Sequence, residues 1–178
     1  RITRGLELGA RFNGKFSTGS QWTLGIDGSR LLEKKSRATT NAEFGPSEVG
    51  RFVFTGDLGL KWKHSAYATY KYGNWSTMLQ NIYRSGYDDQ VLPGVANGLV
   101  KPANWNPKVD AYSIFHLTTT YTGFKNLSLT AGIKNLLDED PPFAVTYDSN
   151  TGAGSTWEPR VADPRGRSFT LMATYKFF

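Results

Sequence analysis

The chain has 178 residues, room for one ordinary domain, and no cysteine, which removes disulfides and thiolate metal sites. Its formal charge is +6, yet Lys and Arg are scattered singly, so the basic arm or helix of a nucleic-acid binder is missing and nucleic acid is not an expected partner. The chain opens directly in patterned sequence at Arg1, and no apolar run approaches the ~18 to 20 residues of a membrane helix. A membrane strand escapes that test, because it shows only every second side chain to lipid.

Taken in chain order, apolar residues recur at every second position. Leu6, Leu8, Ala10 and Phe12 oppose Glu7, Gly9 and Arg11; Trp22, Leu24 and Ile26 oppose Thr23, Gly25 and Asp27. In the next run Trp62, His64, Ala66, Ala68, Tyr70 and Tyr72 alternate with Lys63, Ser65, Tyr67, Thr69 and Lys71. Residues 75–87 have the composition of a strand, but neither face is clearly apolar and the register stays open. Phe115, Leu117, Thr119 and Tyr121 then oppose His116, Thr118 and Thr120. Leu127, Leu129, Ala131 and Ile133 oppose Ser128, Thr130, Gly132 and Lys134. Last, Phe169, Leu171, Ala173, Tyr175 and Phe177 oppose Thr170, Met172, Thr174 and Lys176. Such alternation marks a strand with one face in an apolar medium. Most runs exceed the ~5 or 6 residues usual in soluble domains and suit the ~9 to 11 of a tilted membrane strand. No amphipathic helix is predicted, so the class is all-β.

The links alternate in length: residues 14–20, 73–74 and 123–126 are short and turn-like, whereas 36–60, 88–110 and 137–166 are long and polar. Outer-membrane barrels have this asymmetry between periplasmic turns and extracellular loops. Trp22, Tyr70, Tyr72, Trp75, Tyr121, Phe124, Tyr175 and Phe177 fall near the short-turn ends; Trp62, Tyr83, Tyr87, Tyr112, Phe115 and Phe169 fall near the long-loop ends. Two girdles at headgroup level are the expectation, since an aromatic ring can face hydrocarbon while its N–H or O–H stays wet. The spans number about seven. An up-and-down sheet closes only with an even number of strands, and an open edge in lipid leaves backbone groups unpaired at several kcal/mol each by order of magnitude. Further strands are therefore expected in sequence absent here or in other chains, unless residues 52–60 hide an eighth, against which their glycines argue.

The run Gly166-Arg-Ser-Phe-Thr-Leu-Met-Ala-Thr-Tyr-Lys-Phe-Phe178 resembles the closing strand of TonB-dependent receptors, which follows a Gly-Arg pair and ends in Tyr-x-Phe, as Tyr175-Lys176-Phe177 does; Phe178 is one residue extra. Residues 129–143 look like the family's penultimate strand with its Lys-Asn-Leu-Phe/Leu-Asp exit. Leu6-Glu-Leu and Ser85-Gly-Tyr-Asp-Asp89 are similar to segments earlier in the family's C-terminal half. The resemblance covers essentially the whole chain. It implies that residues 1–178 are about the last seven strands of a 22-stranded transmembrane β-barrel in the bacterial outer membrane. That barrel would belong to a receptor for TonB-dependent active uptake of a ferric siderophore, a corrinoid or an oligosaccharide. The implied partners are outer-membrane lipid, the remaining barrel strands and an N-terminal plug, the TonB complex acting through a region absent here, and the small-molecule substrate. The resemblance also makes Phe169, Leu171, Tyr175 and Phe177 the terminal signal read by the barrel-insertion machinery.

Enzyme motifs are missing; no catalytic residue, cofactor or metal is expected. His64 and His116, the two histidines, lie on different strands, and His116 is expected to line the lumen beside Thr118 and Thr120. Asp138, Glu139 and Asp140 read as a solvated strand exit stopped by Pro141-Pro142 rather than a cation site. Gly152-Ala-Gly154 lacks the strand and helix of a phosphate loop. The candidate ligand-binding residues are the loop aromatics Trp105, Phe143, Tyr147 and Trp157 with Arg160, since flat rings beside hydrogen-bonding groups suit a sugar or a chelate. The plainer reading is that they pack the loops together. Glu7, Arg11, Asp27, Lys63, Lys71 and Lys134 suit a polar lumen. Two other classes stay open: a small outer-membrane barrel with an adhesin or structural role, and a soluble β-sandwich binding module burying Leu129, Ile133 and Leu171 between sheets.

Overall fold

A computed structural model describes residues 1–53, 56–91, 93–101, 107–145 and 156–177. In chain order the elements are β1 (Ile2–Lys15), β2 (Gln21–Lys35), β3 (Trp62–Tyr72), β4 (Trp75–Arg84), β5 (Tyr87–Asp88), α1 (Pro93–Ala96), β6 (Lys108–Val109), β7 (Tyr112–Phe124), β8 (Leu127–Lys134) and β9 (Ser168–Tyr175). Seven of the strands form one antiparallel sheet in the order β1-β2-β3-β4-β7-β8-β9, and β5 with β6 makes a separate two-stranded ladder. β1 and β9 are the sheet's edges.

Register fixes which side chains share a face, because successive residues of a strand point to opposite sides. Ala10 pairs with Ile26, Ile26 with Ala66, Ala66 with Asn81, and Asn81 with Phe115. Leu117 then pairs with Ile133 and Ile133 with Phe169, so a single outward face runs across all seven strands. It carries the apolar set read from the sequence. On β4, whose register the sequence left open, it takes Trp75, Thr77, Leu79, Asn81 and Tyr83. The other face holds Glu7, Arg11, Asp27, Lys63, Lys71 and Lys134. A register shift between Arg4 and Gly5 accommodates Leu32 as an extra residue of β2.

The outward face is bare. Leu171 is 81% exposed and Phe169 72%, so the two stacked sheets of a soluble sandwich are not what these residues build. At the short-turn end its aromatics form a chain: Trp75 meets Tyr121 at 4.7 Å between ring centroids, and Tyr121 meets Phe124 edge-on at 5.1 Å. Trp62, Tyr83, Phe115 and Phe169 stand at the long-loop end of the same face. The 11 residues of β3, at a rise of ~3.3 Å and a tilt of ~40°, cover about 25 Å, the height of the apolar band of an outer-membrane barrel.

Aromatic rings also fill the places that strand glycines leave empty. A Cβ on Gly25 would stand 2.4 Å from the Tyr67 ring, and one on Gly28 would stand 2.8 Å from the Trp62 indole. These rings lie flat on the neighbouring strand because nothing projects there.

The buried core sits off the sheet's centre, where the long links fold onto the polar face. Leu58, Leu60, Tyr87, Val109, Tyr112 and Val161 belong to it, with Ile82 and Ile114 from the sheet beneath. Two expectations change accordingly. Tyr87 and Tyr112 are 4% and 1% exposed and belong to this core, not to a girdle, because each lies on the inward side of the chain as it enters the loops. Among the described members of 52–60 there is no strand: Leu58 and Leu60 turn in to the core, and a lone bridge joins Arg51 to Asp88. Among the described residues no helix is long and apolar enough to cross a membrane.

Candidate functional site

Three long links meet over the loop-side end of the polar face: residues 36–61 between β2 and β3, 85–111 between β4 and β7, and 135–167 between β8 and β9. Packed backbone must pair its N–H and C=O groups, and here much of the pairing runs from loop to loop. The Phe52 N–H donates to the Asp88 carbonyl and the Asp88 N–H to the Gly50 carbonyl, both at 2.8 Å, joining the first loop to the second. The Val145 N–H donates to Asp89 Oδ2 at 2.6 Å and the Gln90 amide donates to the Val145 carbonyl, joining the second to the third. Arg160 Nη1 donates to the carbonyls of Val53 and Gly56, each at 2.9 Å, joining the third back to the first. Arg84 on β4 donates to the Val161 carbonyl, and Tyr112 Oη on β7 donates to the Asp163 carbonyl at 3.3 Å. The loops thus form one cap, pinned to the sheet.

Arg160 reaches both carbonyls because Glu158 holds it from behind. Glu158 Oε1 accepts from Arg160 Nε at 2.7 Å and from its backbone N–H at 3.0 Å, while Oε2 accepts from Nη2 at 2.8 Å. This two-pronged arrangement is the strong form of the pair, and the guanidinium also lies over the Phe52 ring at 5.3 Å. Burial pushes the Glu158 carboxyl up, but the side-chain and backbone N–H groups of Arg160 outweigh it and hold the group below the usual carboxylate range. Asp89 goes the other way: burial raises it, against the opposing backbone N–H groups of Val145 and Gln90. Beside them the Tyr87 hydroxyl is buried with no hydrogen-bond partner among the described residues, and burial, with Asp89 and Glu158 close by, pushes it up.

Under the cap, against the inner side of β1 and β2, lies a cavity of about 580 Å³ lined by Glu7, Lys34, Asp57, Lys63, Arg84 and Arg160. Lys34 is held there by Glu48 at 3.2 Å and by donation to the Asp57 carbonyl at 2.6 Å. Basic side chains outnumber acidic ones in the lining, so the cavity suits a polar or anionic solute. Among the described residues no three His, Cys, Asp or Glu side chains gather as a metal site.

The loop residues singled out in the sequence fare differently. Phe143 is 68% exposed and Trp157 half-buried; they flank one rung, the Ala144 N–H donating to the Thr156 carbonyl at 2.9 Å. Arg160 is committed to holding the cap. Trp105 and Tyr147 lie outside the described residues. Phe169, Leu171, Tyr175 and Phe177 line the outer side at β9, the last two edge to face at 5.0 Å; Phe178 lies outside the described residues. His116 lines the polar face, its Nδ1 accepting the Asn135 N–H at 3.0 Å. At the exit of β8, Asn135 adopts a φ of 49° and clamps residue 139, donating to its carbonyl and accepting its N–H, both at 2.9 Å. Asp138 accepts the Arg167 N–H at 2.7 Å. Glu158, Asp89 and Tyr87 went unread in the sequence; the acid–proline–arginine order at 158–160 is the signal that marks the first of them.

No protein-family model matches the chain, and no curated protein matches it in sequence. Among solved structures it is similar to a mutant of the ferric enterobactin receptor from Pseudomonas aeruginosa, with a TM-score of 0.58, 19% identity and 96% of this chain covered. A second similarity is to the siderophore receptor PiuA from Acinetobacter baumannii, with a TM-score of 0.48, 18% identity and 97% of this chain covered. In each case the chain spans 22% of the other's length. The likeness to the first is one of fold.

Proposed function

We propose that residues 1–178 form the C-terminal part of the wall of a bacterial outer-membrane β-barrel, in a receptor that takes up a scarce solute by TonB-dependent active transport. The observation that carries this is one sheet with two unlike surfaces: a bare apolar face edged by aromatics, and a polar face under a knitted cap of loops. In water each Å² of that bare face would cost ~25 cal/mol; against hydrocarbon it costs nothing. Strands outside this sequence complete the barrel by pairing with the edges β1 and β9, whose free backbone groups lipid would not tolerate. A plug fills the polar lumen, and the TonB complex acts through a region outside this chain. The cap lies on the cell-exterior side, where Phe143, Trp157 and the cavity beneath receive the solute. The chain binds and encloses; it performs no reaction.

A ferric chelate is the substrate class we put first. The basic lining matches the acidic oxygens that such a chelate presents, and the wall is similar in fold to a receptor for one. Deleting the gene in the producing bacterium tests this. Energy-dependent uptake of a labelled ferric catecholate should be lost, return with the wild-type gene, and return only weakly with Lys63→Ala. Loss of labelled corrinoid or oligosaccharide uptake instead would reassign the substrate, and unchanged uptake of all three would sink the transport reading.

A further inference from the structure

The outward face is not uniformly greasy. Across β1 to β7 it carries a trough of about 440 Å³, floored by Ala10, Ala66 and Ala68 and walled by Phe12, Leu24 and Leu79. Ile26 stands between Ala10 and Ala66, and Asn81 and Phe115 close the far side. At its loop-side end the surface turns polar in an ordered way. The Trp62 indole N–H donates to His64 Nδ1 at 2.8 Å, so His64 carries its proton on Nε2, which lies 3.1 Å from Asn81 Oδ1. Asn81 Nδ2 donates onward to Ser113 Oγ at 3.0 Å and the Ile114 carbonyl at 3.2 Å. Tyr83 stacks on His64 with 5.2 Å between ring centroids.

Polar groups on a lipid-facing surface are expensive unless something polar lies against them. The relay runs from Asn81, cross-strand from Ala66 and well inside the apolar band, up to Trp62 at the loop-side end of the strand. Charge is also biased at that level. Arg30 stands cross-strand from Trp62 on the same face, and above it Glu33 is ringed by Arg4 at 3.1 Å and Lys35 at 2.9 Å. One carboxylate among three cations leaves a positive rim on the loop side of the trough, with the Gly28–His64 row between them.

We infer that trough and rim together are a docking site for one acidic lipid of the loop-side leaflet, an acyl chain lying on the alanine floor and the phosphate held at Arg30. The inference rests on the membrane-wall reading and adds a specific occupant to it. The alanines are needed for the chain, the arginine for the headgroup, and the indole-to-asparagine relay presents a fixed polar edge between them.

The test uses the full-length protein, delipidated in mild detergent and titrated with phosphatidylglycerol, phosphatidylcholine or inorganic phosphate, with bound lipid counted by native mass spectrometry. Phosphatidylglycerol should be retained over phosphatidylcholine. Arg30→Gln should lower its retention about fivefold, Ala68→Phe should lower it at least as far by filling the trough, and Ala173→Phe, on the distant β9, should leave it unchanged. Equal retention of the two lipids, equal retention by all three variants, or displacement by inorganic phosphate would overturn the docking site. A wild-type protein lacking the heat-dependent gel shift of a closed barrel would instead overturn the wall reading on which the site depends.

Discussion

Replacing Leu171 by arginine places a cation near the middle of β9, on the face shared with Phe169, Ala173 and Tyr175. The leucine is 81% exposed, so in water the change should move stability by no more than about 0.5 kcal/mol. In a bilayer the same position lies near mid-plane, where arginine costs about 2–4 kcal/mol, a factor of about 30 or more in the folding equilibrium. Thr170→Arg is the matched control. Its side chain points to the polar face, 3.4 Å from the Gly132 carbonyl, and a guanidinium there reaches lumen water, so the penalty should stay under about 1 kcal/mol. The assay is a urea titration of the full-length protein folding into phosphatidylcholine vesicles, followed by tryptophan fluorescence, with the midpoint shift scaled by the common slope. A Leu171→Arg penalty equal to that of Thr170→Arg would refute the face assignment and the membrane reading with it.

Asn135→Ala removes two 2.9 Å hydrogen bonds and puts alanine at φ 49°; a loss of about 2–3 kcal/mol in the same titration is expected, with Asn135→Gly regaining the backbone share. Gly25→Ala should cost about 1–3 kcal/mol by evicting the Tyr67 ring, and a double-mutant cycle with Tyr67→Ala should show coupling above ~0.5 kcal/mol; additive effects would count against the contact. The Glu158–Arg160 pair sets an acid limit on the cap. Because the folded carboxyl lies below its unfolded value near 4.5, its contribution is complete above that value and is lost as pH falls through the folded one. Asp89, raised by burial, gains protons earlier and offsets part of that loss. Protease cutting within residues 36–61 should therefore rise on acidification below 4.5, as the pH passes through the folded value, and in Glu158→Gln it should already be raised at neutral pH.

Six of the seven sheet strands were legible because their outward residues are almost all apolar, and alternation needs no knowledge of neighbours. On β4 the strand was read from composition but its register was not, for a reason the pairing makes plain. Thr77 and Asn81 stand on its outward face, and their polarity is absorbed across strands: Thr77 bonds Thr119 at 2.9 Å, and Asn81 bonds His64, Ser113 and Ile114. A polar side chain satisfied by a residue 17 or more positions away leaves no local trace. The loop residues suffered the same limit. Arg160 looked free because its acceptors are main-chain carbonyls of residues over a hundred positions earlier, whereas its carboxylate partner, two residues away, was within reach of a closer reading. Tyr87 and Tyr112 were placed at a girdle by their position near the long-loop ends of strands; which side of the chain they face is set by how the loops fold back.

The mutual stitching of the three loops has a consequence for how such a protein can change. Asp88 and Asp89 serve two neighbours, and Arg160 returns the favour to the first, so no loop is an independent module. A graft of one loop from a distant homologue would import half of each bond and leave orphaned carbonyls and a stranded carboxylate behind. New ligand preferences are therefore more readily acquired at the unshared tips, such as Phe143, than by swapping whole segments, and recombination within this cap should succeed only when all three move as a set.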